Sequence, residues 1–366
     1  MWLNFLKALG QTRIILMGIA FAATSVFYFS QKAISPSYAN QGISPFHEEV
    51  FAGEISPPDY YRSCRIDSHG NLFLVSHMSV LEKIAVDGSP SFAVNLGAEH
   101  LQPPIGIHSY AVAPDDSLFV AGVDHARTGT VIYHFSAGDN TPTLYARLDG
   151  VEPGSCAFGV DGYLYLVSLD SAMHNEIQKV LHSKEHDKRL PQGVDVLVRR
   201  MRPDKGDYRG YGAINLPTTQ SELNDQVSQL ENTFLNTDPD GDVHIVNHKT
   251  TRHTRVYRDG TIANSQQLNL AEEGRISIFR VLFIGAGYFL AHIGDAGTNA
   301  STIKGMRVIA GREGSNWTKQ IDLPFSMPVF YLDSNSRANQ LLQYYFVNEL
   351  VYIRRYRLSD ILHTIQ

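Results

Sequence analysis

The chain has 366 residues, 43% of them apolar and 19% charged, which is the range of a folded globular protein and excludes a disordered one. A formal net charge of -6 gives no basic footprint and excludes nucleic acid as the natural partner, while two cysteines are too few for a disulfide scaffold. The length allows one large all-β domain or two smaller ones.

The first element in the chain is a basic start followed by an apolar run. Lys7 and Arg13 precede "IILMGIAFAATSVFYF" (14–29), which carries no charge. This pattern predicts an export signal over 1–30, either cleaved or retained as a membrane anchor. "SYA" (37–39) offers small residues for a cleavage site, and residues 31–44 read as a linker. The positive charges hold the N-terminus in the cytoplasm, so residues 45–366 are expected outside it: secreted, periplasmic or membrane-anchored.

From residue 67 one phrase recurs: a polar turn, then an alternating apolar strand. It reads "DSHGNLFLVS" (67–76), "APDDSLFVAG" (113–122), "GVDGYLYLVS" (159–168) and "DPDGDVHIVN" (238–247). The turn markers are Gly70, Asp116, Gly162, Gly241 and Gly287, at steps of 46, 46, 79 and 46 residues. One further step of 46 falls on Asp333. Each unit holds four candidate strands, as in "YRSCRID", "NLFLVS", "VLEKIAVDG" and "SFAVNLG". Four short antiparallel strands at this period predict a six-bladed β-propeller.

The long interval is explained by an insertion at 169–193, between the second and third strands of the third unit, with a seventh blade squeezed in there as the alternative. Ile177, Val180 and Leu181 among polar neighbours suit a short amphipathic helix there. The last unit lacks a fourth strand, and "EEVFAGEIS" (48–56) resembles the fourth strands of the other units. It is expected to complete the last blade and remove its open edge.

The phrase resembles the six-bladed propellers of the NHL-repeat and SMP-30/gluconolactonase type, across roughly 45–360. The best match is "DPDGDVHIVNHKTTRHTRVYRDGT" (238–261), similar to the NHL pattern of Asp-x-x-Gly, strand, polar turn, Arg and a second strand ending in Asp-Gly. Elsewhere the Arg-bearing middle is absent, as in "SHMSVLEKIAVDG". Such folds host hydrolases, binding modules and scaffolds alike.

Aligning the innermost strands on their markers places Glu152 and Glu231 at matching leading positions of adjacent blades, with Asn232 next and Asp59 at the corresponding place in the first blade. Oxygen ligands converging from several blades suit a hard divalent cation such as calcium. The resemblance implies a similar central metal held by Glu, Asn and Asp, but Ser277 stands where a further strong ligand is needed. Arg62 and His108 fall at the channel mouth, where they could bind an anion or act as acid and base. Cys64 and Cys156 match in register on non-adjacent blades and are read as buried free thiols. His248 and His253 flank a strand turn and are read as surface residues. "HSKEH" (182–186) fits a zinc-protease pattern in a context wrong for that chemistry, and Asn299 and Asn316 begin glycosylation sequons.

Two classes of function fit these residues. One is a monomeric extracytoplasmic module binding a protein, peptide or glycan through the face that carries 169–193. The other, implied by the resemblance, is a metal-dependent hydrolase of lactones or related esters. The incomplete carboxylate set favours the first.

Overall fold

The computed structural model describes residues 43, 45–52, 64–76, 78–126, 128–170, 195–215, 230, 232–248, 250–270, 276–295, 304–323, 331–347 and 350–366. They form six antiparallel sheets of four strands each. After β1 (His47–Ala52), blade one is β2 (Arg65–Ile66), β3 (Leu72–Ser76), β4 (Val80–Ile84) and β5 (Pro90–Asn95). Blade two is β6 (Ile105–Val112), β7 (Leu118–Asp124), β8 (Gly129–Phe135) and β9 (Thr143–Asp149). Blade three is β10 (Val151–Phe158), β11 (Leu164–Asp170), β12 (Asp195–Arg202) and β13 (Asp207–Asn215). Blade four is β14 (Thr233–Thr237), β15 (Val243–Asn247), β16 (Arg252–Val256) and β17 (Gln266–Gln267). Blade five is β18 (Ile276–Gly285), β19 (Tyr288–Asp295), β20 (Lys304–Arg312) and β21 (Thr318–Ile321). Blade six is β22 (Tyr331–Asn335), β23 (Gln340–Val347) and β24 (Leu350–Arg357), completed by β1.

The ring closes as the missing last strand requires. β1 runs antiparallel to β24 from His47↔Arg355 to Ala52↔Leu350, and Arg354 Nε donates to Glu48 Oε2 at 2.8 Å. Arg355, fully buried, reaches into blade one and donates to the Gly70 carbonyl at 2.6 Å. The apolar core follows the same plan. Each of six buried clusters draws on two successive blades, and one joins Cys64, Leu72 and Leu74 of the first blade to Leu342, Tyr344 and Ile353 of the last. A blade so stacked is covered on both faces. Accordingly β7 is buried at six of its seven positions, whereas outer strand β5 has none buried.

The recurring turn has a backbone cause. All five markers are left-handed: Gly70 (φ 84), Asp116 (φ 65), Gly162 (φ 79), Gly241 (φ 90) and Gly287 (φ 73). At Gly241 the constraint is double, because a Cβ there would stand 1.7 Å from Val160 Cγ1 of blade three. The sixth marker is not Asp333, where the 46-residue step falls, but Asn339 (φ 51). The last step, from Gly287 to Asn339, is longer than 46 residues, so Asp333 lies inside β22 and lines the channel. Asn is one of the few residues besides Gly that enters the left-handed region readily.

The leading aspartate of the phrase ties together the turns of blades one and four. Asp67 Oδ1 accepts from the amides of His69 and Asn71, and Asp238 Oδ1 from that of Asp242. A cation on the third strand then holds the turn: Arg255 on Asp242 (2.6 Å), Arg200 on Asp161 (3.0 Å) and Lys83 on Asp67 (3.3 Å). Lys83 thus fills in blade one the role of the arginine that its sequence lacks.

The extra length of the third unit falls between β11 and β12 of one blade, so no seventh blade is needed there. The helix expected within 169–193 and the apolar run 14–29 lie outside the described residues. Among the described residues no helix is long and apolar enough to cross a membrane. One helix escaped the sequence reading. α1 (Leu358–Ile365) buries Leu358, Ile361 and Ile365 against blades five and six, the i, i+3, i+7 spacing of an apolar helix face.

Candidate functional site

A cavity of about 320 Å³ lies at the trailing ends of the innermost strands, where they enter the turns. All six blades contribute: Arg65 (β2), Ala111 (β6), Cys156 (β10), Leu235 (β14), Arg280 (β18) and Asp333 (β22). A cleft with convergent polar groups is the default binding site of such a fold.

Its floor carries two arginines and one carboxylate. Asp333 Oδ1 is 3.6 Å from Arg65 Nη1 and 3.5 Å from Arg280 Nη2, and its Oδ2 accepts from the Ile66 amide at 3.2 Å. The three residues are 9%, 5% and 4% exposed for Arg65, Arg280 and Asp333. The trio therefore carries one positive charge more than it neutralises, in a place poor in water. Arg65 also donates to the Cys64 carbonyl at 3.1 Å and lies 5.7 Å from the ring centre of Tyr110, whose hydroxyl donates to the Phe73 carbonyl. Arg280 has no such anchorage. Its Nε and Nη1 are buried and have no hydrogen-bond partner among the described residues. A buried guanidinium left in this state is costly, and a ligand that accepts from it recovers that cost.

Burial, with Arg65 adding repulsion, lowers Arg280 to about 10, so it stays charged at neutral pH. Burial pushes the Asp333 carboxyl up, against the pull of Arg65 and Arg280. Cys64 and Cys156 are free and buried, as their register implied. Burial raises Cys156 to about 11 and Cys64 well above the usual thiol range. Both are protonated at neutral pH and are poor nucleophiles. The described lining holds no histidine. The rim is mixed: Asp116 is engaged by Ser68 and His69, and Asp240 and Arg337 stand beside it.

Of the ligand-binding and metal candidates singled out from sequence, the three that the structure describes sit at the other end of the channel. Glu152 and His108 are half-buried on the leading halves of neighbouring inner strands β10 and β6, and Asn232 immediately precedes β14. Asp59, Arg62 and Glu231 lie outside the described residues, as does "HSKEH". The structure brings no metal-ligand set together from these positions among the described residues. Sequence reasoning missed Arg280 because it sought ligands among the leading positions of the strands, and it took Asp333 for a turn marker. A charged residue within the apolar "ISIFRVLFIG" was the available signal, since such a residue is rarely buried without a partner or a purpose. His248 and His253 are 5% and 1% exposed, not surface residues. They belong to the inward-facing sets of blade four, and each stacks on a phenylalanine, His248 on Phe234 and His253 on Phe283. Asn316 is exposed and bonded to Asn269.

The fold and channel together define a six-bladed β-propeller with an axial pocket whose floor holds the net positive Arg65–Asp333–Arg280 trio. No family model matches the chain, and no curated protein matches it. Solved structures do. A gluconolactonase from Xanthomonas campestris is 11% identical, with 86% of this chain and 91% of that one covered and a TM-score of 0.52. A virginiamycin B lyase from Staphylococcus aureus is 10% identical over 84% and 99%, at 0.47. An aldose sugar dehydrogenase from Streptomyces coelicolor is 12% identical over 85% and 99%, at 0.46. The likeness is one of architecture, in keeping with the gluconolactonase-type resemblance of the blades. The fold alone selects no activity.

Proposed function

We propose that this propeller is an extracytoplasmic binding module that takes a carboxylate-bearing group of a peptide or protein partner into its channel. The observation that carries this reading is Arg280, buried, charged and with two nitrogens lacking acceptors among the described residues. A planar guanidinium matches a carboxylate in geometry as well as charge. A volume of about 320 Å³ suits an acidic side chain or chain terminus better than an oligosaccharide. Protonated thiols and an arginine-bound Asp333 leave the floor without an evident nucleophile and base, which favours binding over catalysis.

Glutarate and a glutamate-containing peptide serve as probes in titration calorimetry. Arg280→Met is expected to weaken both by about tenfold to a hundredfold, the worth of a charge-assisted hydrogen bond in a dry site. Equal affinity in the variant counts against the reading. Calcium-dependent ester hydrolysis lost on Glu152→Gln would favour the hydrolase instead.

Export belongs to the same proposal and is supported by Lys7, Arg13 and the uncharged run 14–29. Protease added to intact cells should degrade the propeller. Complete protection, with an active cytoplasmic reporter at the C-terminus, would place it inside.

A further inference from the structure

Between blades four and five lies a second polar cluster, behind Asp238 of the channel lining. His244 of β15 and His253 of β16 are 0% and 1% exposed, and their rings stack with an interplanar angle of 11°. Phe283 of β18 stacks on both, at 3.6 Å and 4.7 Å between ring centres. His244 Nδ1 and His253 Nε2 face each other at 2.9 Å. Glu313, just past the end of β20, completes a group in which one ligating atom from each residue lies within 4.8 Å of the others. We propose that His244, His253 and Glu313 form a binding site for a divalent transition-metal ion of the zinc class, with Asp238 orienting His244 from behind.

Three features support this. The first is the donor set. Two imidazoles and one carboxylate, with a fourth position left for solvent, suit zinc, cobalt or nickel and not calcium, which prefers oxygen. The histidine nitrogens need part by only about 0.4 Å to span a tetrahedral site with bonds of about 2.0 Å.

The second is the surroundings of His244. Its Nε2 is 3.1 Å from Asp238 Oδ2, which holds the proton on that nitrogen and turns the Nδ1 lone pair toward His253. A carboxylate behind a ligating histidine is the usual means of fixing its tautomer and raising its basicity. In the metal-free state His253 fills the gap by donating from Nε2, with the Gln266 amide 3.4 Å from its Nδ1. Metal binding moves that proton to Nδ1, where the Gln266 oxygen accepts it once the amide turns over.

The third is charge. Among the described residues, Asp238, Asp242 and Glu313 meet a single guanidinium, Arg255, at 3.5, 2.6 and 3.7 Å. With neutral imidazoles the group carries two negative charges in excess, which one divalent ion balances.

The site is independent of the channel reading and is tested without any activity. Chelator-treated full-length protein is titrated with Co²⁺. The proposal expects one equivalent to give the intense visible absorption of four- or five-coordinate cobalt, and Zn²⁺ to abolish it. His253→Gln and Glu313→Gln should each weaken Co²⁺ at least tenfold, and Zn²⁺ should raise the melting temperature of wild type but not of the variants. Glu313 lies at the open side of the wedge, so its variant keeps the test valid if His253→Gln fails to fold. Wild type that leaves cobalt in its octahedral aqueous form overturns the proposal. So does Co²⁺ binding unchanged in Glu313→Gln, which would assign the ion to another site, such as the histidines of 182–186.

Discussion

Lowering the pH from 7.5 to 5 is expected to strip this propeller of a large part of its stability. Two buried histidines away from the metal cluster set the effect. His292 is fully buried, and burial lowers it to about 3. His248 is lowered well below the ordinary imidazole range by burial first, then by Arg280 and His292. A group whose folded pKa is depressed stabilises the fold fully above its unfolded pKa and loses that contribution as pH falls toward the folded value. For His292 the window runs from about 6.5 down to about 3. At pH 5 its share of the loss is about 2 kcal/mol, and His248 adds with the same sign. Asp333 and Glu313, whose carboxyls are raised, act in the opposite sense. The comparison is therefore made against His292→Gln, whose stability should fall less steeply over this interval. Urea titrations at several pH values give the slope. Unfolding free energy that is flat between pH 5 and 7.5 would mean these rings are hydrated or already charged in the native state.

The same histidines show where the sequence was readable and where it was not. Local backbone chemistry was readable. Asp-x-x-Gly followed by alternating apolar residues specifies a left-handed turn and a strand, and the repetition of Gly70, Asp116 and Gly162 at equal steps exposed the blades. The closing strand was readable because a four-stranded unit cannot end on three. What failed was the burial of polar residues. His253 sits in "TTRHTRVYRD", whose neighbours are all polar, and only the wedge between two blades makes its face an interior one. Arg280 and Asp333 are 53 residues apart in sequence and meet because blades five and six bring their inner strands to one axis. Register counted from the turns could align strands with each other. It could not say which end of the channel would collect the unbalanced charge. The short α1 was missed for a related reason: its apolar spacing was present, but the repeat left no slot for a helix.

Asp333→Ala should be among the most destabilising single changes in the chain, at about 3–5 kcal/mol, and should at the same time make it a better anion binder. Asp333 is the one carboxylate between Arg65 and Arg280, so its loss leaves two guanidinium groups facing each other in a site less than 10% exposed. It also removes the acceptor for the Ile66 amide, one of the links that join blade six to blade one at the channel. Asp333→Asn keeps that acceptor and removes only the charge. It should therefore be the milder of the two, by about the 1 kcal/mol of a neutral hydrogen bond. Both variants raise the net charge of the trio from one to two. If the pocket is built to receive a carboxylate, glutarate must bind the variants more tightly than wild type and restore much of what the substitution removed. At a hundred times its dissociation constant it would return about 2.7 kcal/mol. Denaturant midpoints with and without glutarate separate the two parts of the prediction. Destabilisation without rescue would make the Arg65–Asp333–Arg280 trio a structural tie between blades one, five and six. Rescue that exceeds that of wild type, and that disappears when Arg280→Met is added, would make it a site.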